Sequence, residues 1–130
     1  YLFGGRSFTV FKADEQGLTE IYTSGNEFEA KTAGYELEHF NCSNDNNDID
    51  DRSGKKGVEA ENVTIGNVGE KIYAFIGLER IGGVMMYDVT NPEKISYANY
   101  ISVRILQEMI HRKDFVLYRS RKVWMEMHIY

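Results

Sequence analysis

The sequence predicts an all-β chain. Three features carry that expectation: short runs of alternating apolar and polar residues, Gly-containing turns between them, and a composition with twelve Gly, nine Tyr, seven Phe and a single Pro in 130 residues. The cleanest alternation begins at residue 62, where Val63 and Ile65, IYAFIGLER, VMMYDV and ISYANYISV are separated by GNVGEK, Gly82–Gly83 and TNPEK. Strands of about six residues joined by short turns form an antiparallel meander, and four of them make one propeller blade. A lone four-stranded sheet leaves apolar faces exposed, so such a unit calls for neighbouring blades. The expected architecture is a partial β-propeller of about one and a half blades, with one short helix and a long Asp-rich loop.

Upstream, residues 2–4 and 7–12 read as short strands around Gly4 and Gly5. Residues 7–12 are expected to pair with 18–23 across a turn at Asp14–Gly17, so that 1–25 supply the outer strands of one blade. Residues 26–40 change period. Asn26 can cap, Glu27 and Glu29 sit in the first turn, and Phe28, Ala33, Leu37 and Phe40 fall near helical spacing, with a break at Gly34. A polar stretch without apolar period then runs to Glu61, completing a helix-and-loop segment over 26–61. The full blade spans 62–103.

The segment 104–130 differs in kind. It holds six basic residues against three acidic ones, the single Trp and three of the five Met, whereas residues 1–103 carry nine basic and seventeen acidic residues. ILQEMIHR reads as a helix and FVLYRSRKVWMEMHIY as a strand pair. This tail is expected to be atypical, the product of an out-of-frame or gene-end sequence.

A net charge of −5 argues against a nucleic-acid partner, since phosphate binding needs clustered Lys and Arg. The one cysteine, Cys42, cannot form an internal disulfide and reads as a small buried or loop thiol. No apolar stretch is long enough to span a bilayer. The chain opens in an apolar run at Tyr1 without a leader, and so reads as an internal piece of a larger protein.

Two places could carry chemistry. Asp45, Asp48, Asp50 and Asp51, with Asn44, Asn46 and Asn47, crowd hard oxygen donors into one span, as Ca²⁺ requires. An EF-hand register started at Asp48 fails, because Arg52 falls on its fifth position and Ser53 on its turn glycine, which leaves an irregular Ca²⁺ site set against a solvated loop of Asx-turns. Arg52 is expected to tie that loop down. His39, His111 and His128 lack a partner at a catalytic spacing, and Ser7, Ser43 and Ser53 lie outside a GxSxG elbow. Gly82 and Gly83 join strands, not a strand to a helix, so no phosphate loop is formed. Tyr73, Phe75, Tyr87, Tyr97 and Tyr100 fall at strand spacing and are expected in an inter-blade core.

YLFGGRSFTVF, NDNNDIDDRSGKKG, YAFIGLERIGGVMMYDVTNP and YANYISVR resemble the choice-of-anchor I domain over roughly residues 1–104. That resemblance implies a bacterial extracellular or surface-displayed β-propeller related to LVIVD-type repeats, in which this chain is non-catalytic and serves ligand binding, adhesion or display. Its partners would be the remaining blades and an extracellular ligand or surface. The alternative is the propeller portion of a phosphatase or 5'-nucleotidase-type esterase whose catalytic metals lie elsewhere. The family motif sets GLER beside a glutamate preceding another strand, which makes Glu61, Glu79 and Arg80 the second candidate group. Those three could hold a metal or polar ligand, or form a structural ion pair. The family's Pro-Glu-Gly turn is replaced by Ala60, Glu61 and Asn62, so only Glu61 carries over. After Arg104 the family's polar continuation gives way to Ile105 and Leu106.

Overall fold

The computed structural model describes residues 5–105 in full, together with the backbones of 116–119 and 124–127. The chain is mostly β, in the order β1 (Thr9–Asp14), β2 (Gly17–Thr23), helix α1 (Glu27–Tyr35), a 3-10 turn (Leu37–His39), β3 (Ala60–Val68), β4 (Lys71–Leu78), β5 (Val84–Asp88) and β6 (Ser96–Ile101). β1 and β2 form a hairpin, and β3–β4–β5–β6 form a four-stranded antiparallel meander in chain order. This is the architecture expected of a partial all-β propeller fragment. Two further strands, β7 (Val116–Arg119) and β8 (Trp124–Met127), pair antiparallel where the sequence suggested a strand pair. The expected strand at 2–4 and most of the expected helix at ILQEMIHR lie outside the described residues.

The meander has one buried face. Along β4, Ala74, Ile76 and Leu78 are buried, and across the ladder Met85, Tyr87 and Tyr100 join them. Tyr97 and Tyr100 are an odd number of residues apart, which would put them on opposite faces of a regular strand. A bulge between Met86 and Tyr87 in the β5–β6 register brings Tyr97 opposite Tyr87 and Tyr100 opposite Met85, on the same side. Phe28 of α1, Phe8 and Tyr22 cover this face, with the Phe8 ring 4.7 Å from Tyr87 and 5.4 Å from Tyr22. Tyr73 and Phe75 take the opposite face, half-buried, with their rings 6.3 Å apart.

Three local expectations are corrected. Asn26 stands at the N-cap of α1 but makes no side-chain cap hydrogen bond. The helix buries Phe28 and Thr32, while Leu37 is exposed, because the chain leaves α1 after Tyr35 and re-forms as a 3-10 turn with a different phase. Thr32 tolerates burial because its hydroxyl donates back to Phe28 O at 3.0 Å. The expected turn at GNVGEK is shorter than its composition suggested: β3 continues through Gly66 to Val68, and Gly69 and Glu70 alone make the turn, with Gly69 at φ 63°. Gly66 can stay in the strand because the Phe75 ring packs over it, 3.2 Å from where a Cβ would stand.

Candidate functional site

The acidic group at the end of the meander is built by a bulge. Ala60 pairs with Leu78 and Asn62 with Gly77, so Glu61 is the extra residue of β3, and its neighbours across the ladder lead into Glu79. Glu59 precedes the strand at φ 52°, and its carbonyl accepts the Glu79 N–H at 3.0 Å. The carboxylates of Glu59, Glu61 and Glu79 come within 4.8 Å of one another, a spacing that three ligands of one cation can adopt. Glu61 and Glu79, singled out in the sequence, are therefore brought together. Glu59 was missed, although its position three residues after Lys56 is a spacing at which such pairs form.

Glu59 is buried and committed to cations. Lys56 Nζ lies 2.7 Å from its Oε1, and Arg80 Nε donates to its Oε2. Burial pushes its carboxyl up, but the hydrogen bonds and charges of Lys56 and Arg80 outweigh burial and hold it below the usual range. Glu79 is pushed up, by desolvation and by the charges of Glu61 and Glu59, against the lowering effect of Arg80. Arg80 also reaches Glu79 at 3.6 Å and Asn44 Oδ1 at 3.3 Å. Chemically, Arg80, Lys56 and Glu59 form a structural ion network, and Glu61 and Glu79 are its solvent-facing carboxylates. A bound cation would have to rely on those two, because both oxygens of Glu59 are already engaged.

The Asp-rich loop has a different geometry. Asp45 accepts from Ser43 Oγ, which holds its carboxyl low, and Asp50, at φ 65°, accepts from Ser53 Oγ. Asp51 lies 3.2 Å from Arg52 Nε, and the Asp48 N–H donates to Asn46 Oδ1 at 3.1 Å. Among the described residues, Asp45, Asp48, Asp50 and Asp51 do not converge as a set of three carboxylates at ligand spacing. Arg52 ties the loop down: its carbonyl accepts the N–H groups of Lys55, Lys56 and Gly57 at 2.9–3.0 Å, and its guanidinium donates to Ser43 Oγ at 3.0 Å.

Beneath the loop lies a buried polar knot that the sequence did not reveal. Glu36 accepts from Tyr100 Oη, from Ser102 Oγ at 2.7 Å, and faces His39 Nδ1 at 3.4 Å. Tyr100 Oη also reaches Gly82 O at 2.7 Å, and burial with the Glu36 charge drives the phenol far upward. Arg104, counted with the atypical tail on sequence grounds, donates to Ile81 O at 2.7 Å, Asn46 O at 3.1 Å, Arg80 O at 3.2 Å and Ser43 O. Cys42 is fully buried beside this knot, and its thiol is pushed up by desolvation. No signal of spacing could have joined Glu36 to Ser102, which are 66 residues apart.

A four-stranded meander with a two-stranded partner, tied at one end by ion pairs, defines a β-rich domain. The chain belongs to the choice-of-anchor I domain family, whose profile matches residues 1–92, a family associated with extracellular or surface proteins. It is also similar to Gigasin-3a of Magallana gigas, 33% identical over 92 residues, which cover 67% of this chain and 32% of that protein. The chain thus spans about a third of the length of this curated relative. No solved structure matches it. Among the described residues, no helix is long and apolar enough to cross a membrane.

Proposed function

We propose that the chain is a non-catalytic part of an extracellular β-propeller that serves binding, adhesion or display. Residues 1–25 supply strands of one blade, 26–61 the helix and polar loop, and 62–103 a complete blade. The observation that carries this reading is that the meander presents apolar side chains on both faces. One face holds Met85, Tyr87 and Tyr100, and the other Phe75, Met86, Val84 and Ile101, with Ile101 half exposed at 50%. A sheet patterned this way is completed only by neighbours on either side. Electron microscopy of the parent-length protein should show a closed disc of radial blades around a channel. An elongated rod, or a string of separate small domains, overturns the reading.

Within that module, Glu61 and Glu79 are the ligand-facing residues, and Arg80 and Arg52 hold the loop and strand ends in place. Ca²⁺ titration of the parent-length protein by calorimetry compares the two acidic groups. Heat that disappears in Glu61→Gln with Glu79→Gln, yet persists in Asp48→Ala with Asp50→Ala, supports the strand-end site. The reverse pattern assigns Ca²⁺ to the loop, and no heat in the unmodified protein removes the metal from both.

A further inference from the structure

The buried face of the meander is uncovered at β3. Val63 and Ile65 stand directly opposite Ile76 and Ala74, and so share the face on which those β4 residues are buried, yet each is 61% exposed. A groove of about 400 Å³ runs between them and β1, lined by Phe8, Val10, Phe11, Val63, Ile65 and Ile95 among others.

β1 borders this groove with an open edge. Among the described residues it pairs with β2 alone. The Ser24 N–H donates to Phe8 O at 3.0 Å, and the Asp14–Gly17 pair closes the two-residue turn. Antiparallel alternation then points the backbone groups of Phe8, Val10, Lys12 and Asp14 at β2, and those of Thr9, Phe11 and Ala13 at the other edge. A row of open N–H and C=O groups beside an apolar trough matches one chemistry, an extended strand with alternate apolar side chains. A helix or a small apolar molecule would fill the trough and leave the edge unmet.

We propose that the free edge of β1 takes up one further β-strand of the same polypeptide, whose apolar side chains fill the groove over Val63 and Ile65. The family relative supplies the length for such a strand, since the matched region is 32% of Gigasin-3a. The proposal rests on the propeller reading and sharpens it, because it names the strand that β1 pairs with.

Hydrogen exchange on the parent-length protein tests it. The Thr9, Phe11 and Ala13 amides should exchange at least about 100-fold more slowly than the Glu15 turn amide, independently of protein concentration. Ile65→Lys should lower the melting temperature by several degrees, and Ile65→Thr serves if the lysine variant does not fold. Unprotected amides with a destabilising Ile65 variant mean that side chains of a neighbouring sheet fill the groove without strand addition. That result overturns this proposal and leaves the propeller standing. Unprotected amides with a silent Ile65 variant overturn both, and protection that rises with concentration assigns the edge to a second copy and overturns the added strand.

Discussion

The loop end of the meander and its β3 border solve the burial problem in opposite ways. At the loop end, Glu36, Arg104, Arg52 and Glu59 are charged groups at least partly removed from water, and each is met by several partners within the described residues. At the β1–β3 border, Phe11, Val63 and Ile65 are apolar groups left facing water. A buried charge cannot wait for a partner from outside, since desolvating it unpaired costs several kcal/mol, whereas exposed apolar area costs about 25 cal/mol per Å² and can be covered later. The loop end is therefore self-contained, and the other border is a surface for association.

The largest effect that would break this contrast is at Glu36. Glu36→Ala leaves the Ser102 hydroxyl buried without its acceptor and the Tyr100 hydroxyl with Gly82 O alone, and should cost about 3 kcal/mol in urea unfolding, with Glu36→Gln costing less. A loss below about 0.5 kcal/mol would mean that the knot is incidental. Gly83→Ala should follow at about 2 kcal/mol, because φ is 108° and the new Cβ would stand 2.3 Å from Ile101 O. Gly57→Ala should be comparable, since at φ 60° its Cβ would meet Glu29 Oε1 at 2.6 Å and the Arg6 guanidinium.

The pH dependence sharpens the same comparison. The folded-state pKa of Glu59 lies below its ordinary value of 4.5, so its contribution is fully present above about pH 4.5 and is lost as the pH falls through the depressed value. Glu59→Gln should lower stability at neutral pH and flatten the acid limb of a stability-against-pH curve. An unchanged acid limb would show that the Lys56 and Arg80 pairs contribute nothing. The smallest effect is expected away from both regions. Val68→Thr, at a position 58% exposed beside the β3–β4 turn, should stay within about 0.5 kcal/mol.

Legibility in the sequence followed the range of the interaction. The meander was readable because Ile72, Ala74, Ile76 and Leu78 alternate within one strand, and the hairpin because Asp14 and Gly17 flank a two-residue turn. The helix was readable as a helix, but its inward face was misjudged at Leu37. Apolar spacing cannot foresee the change of phase after Tyr35, nor the burial of Thr32 by a back-bonded hydroxyl. Of the acidic group, Glu61 and Glu79 were legible through the family motif. Glu59 was not, because its role depends on a positive φ and on Arg80, 21 residues away.

The sequence by itself determined the strand periods, the turn positions within a few residues, the acidic character and the family. These are local properties, set by side-chain alternation and by the few residue types that turns accept. Tertiary structure alone decided that Tyr97 and Tyr100 share a face, that Glu61 stands on a bulge beside Glu79, and that Glu36 and Arg104 close the loop end. Each depends on a register shift or on a hydrogen bond between residues distant in the chain, and neither leaves a period in the sequence.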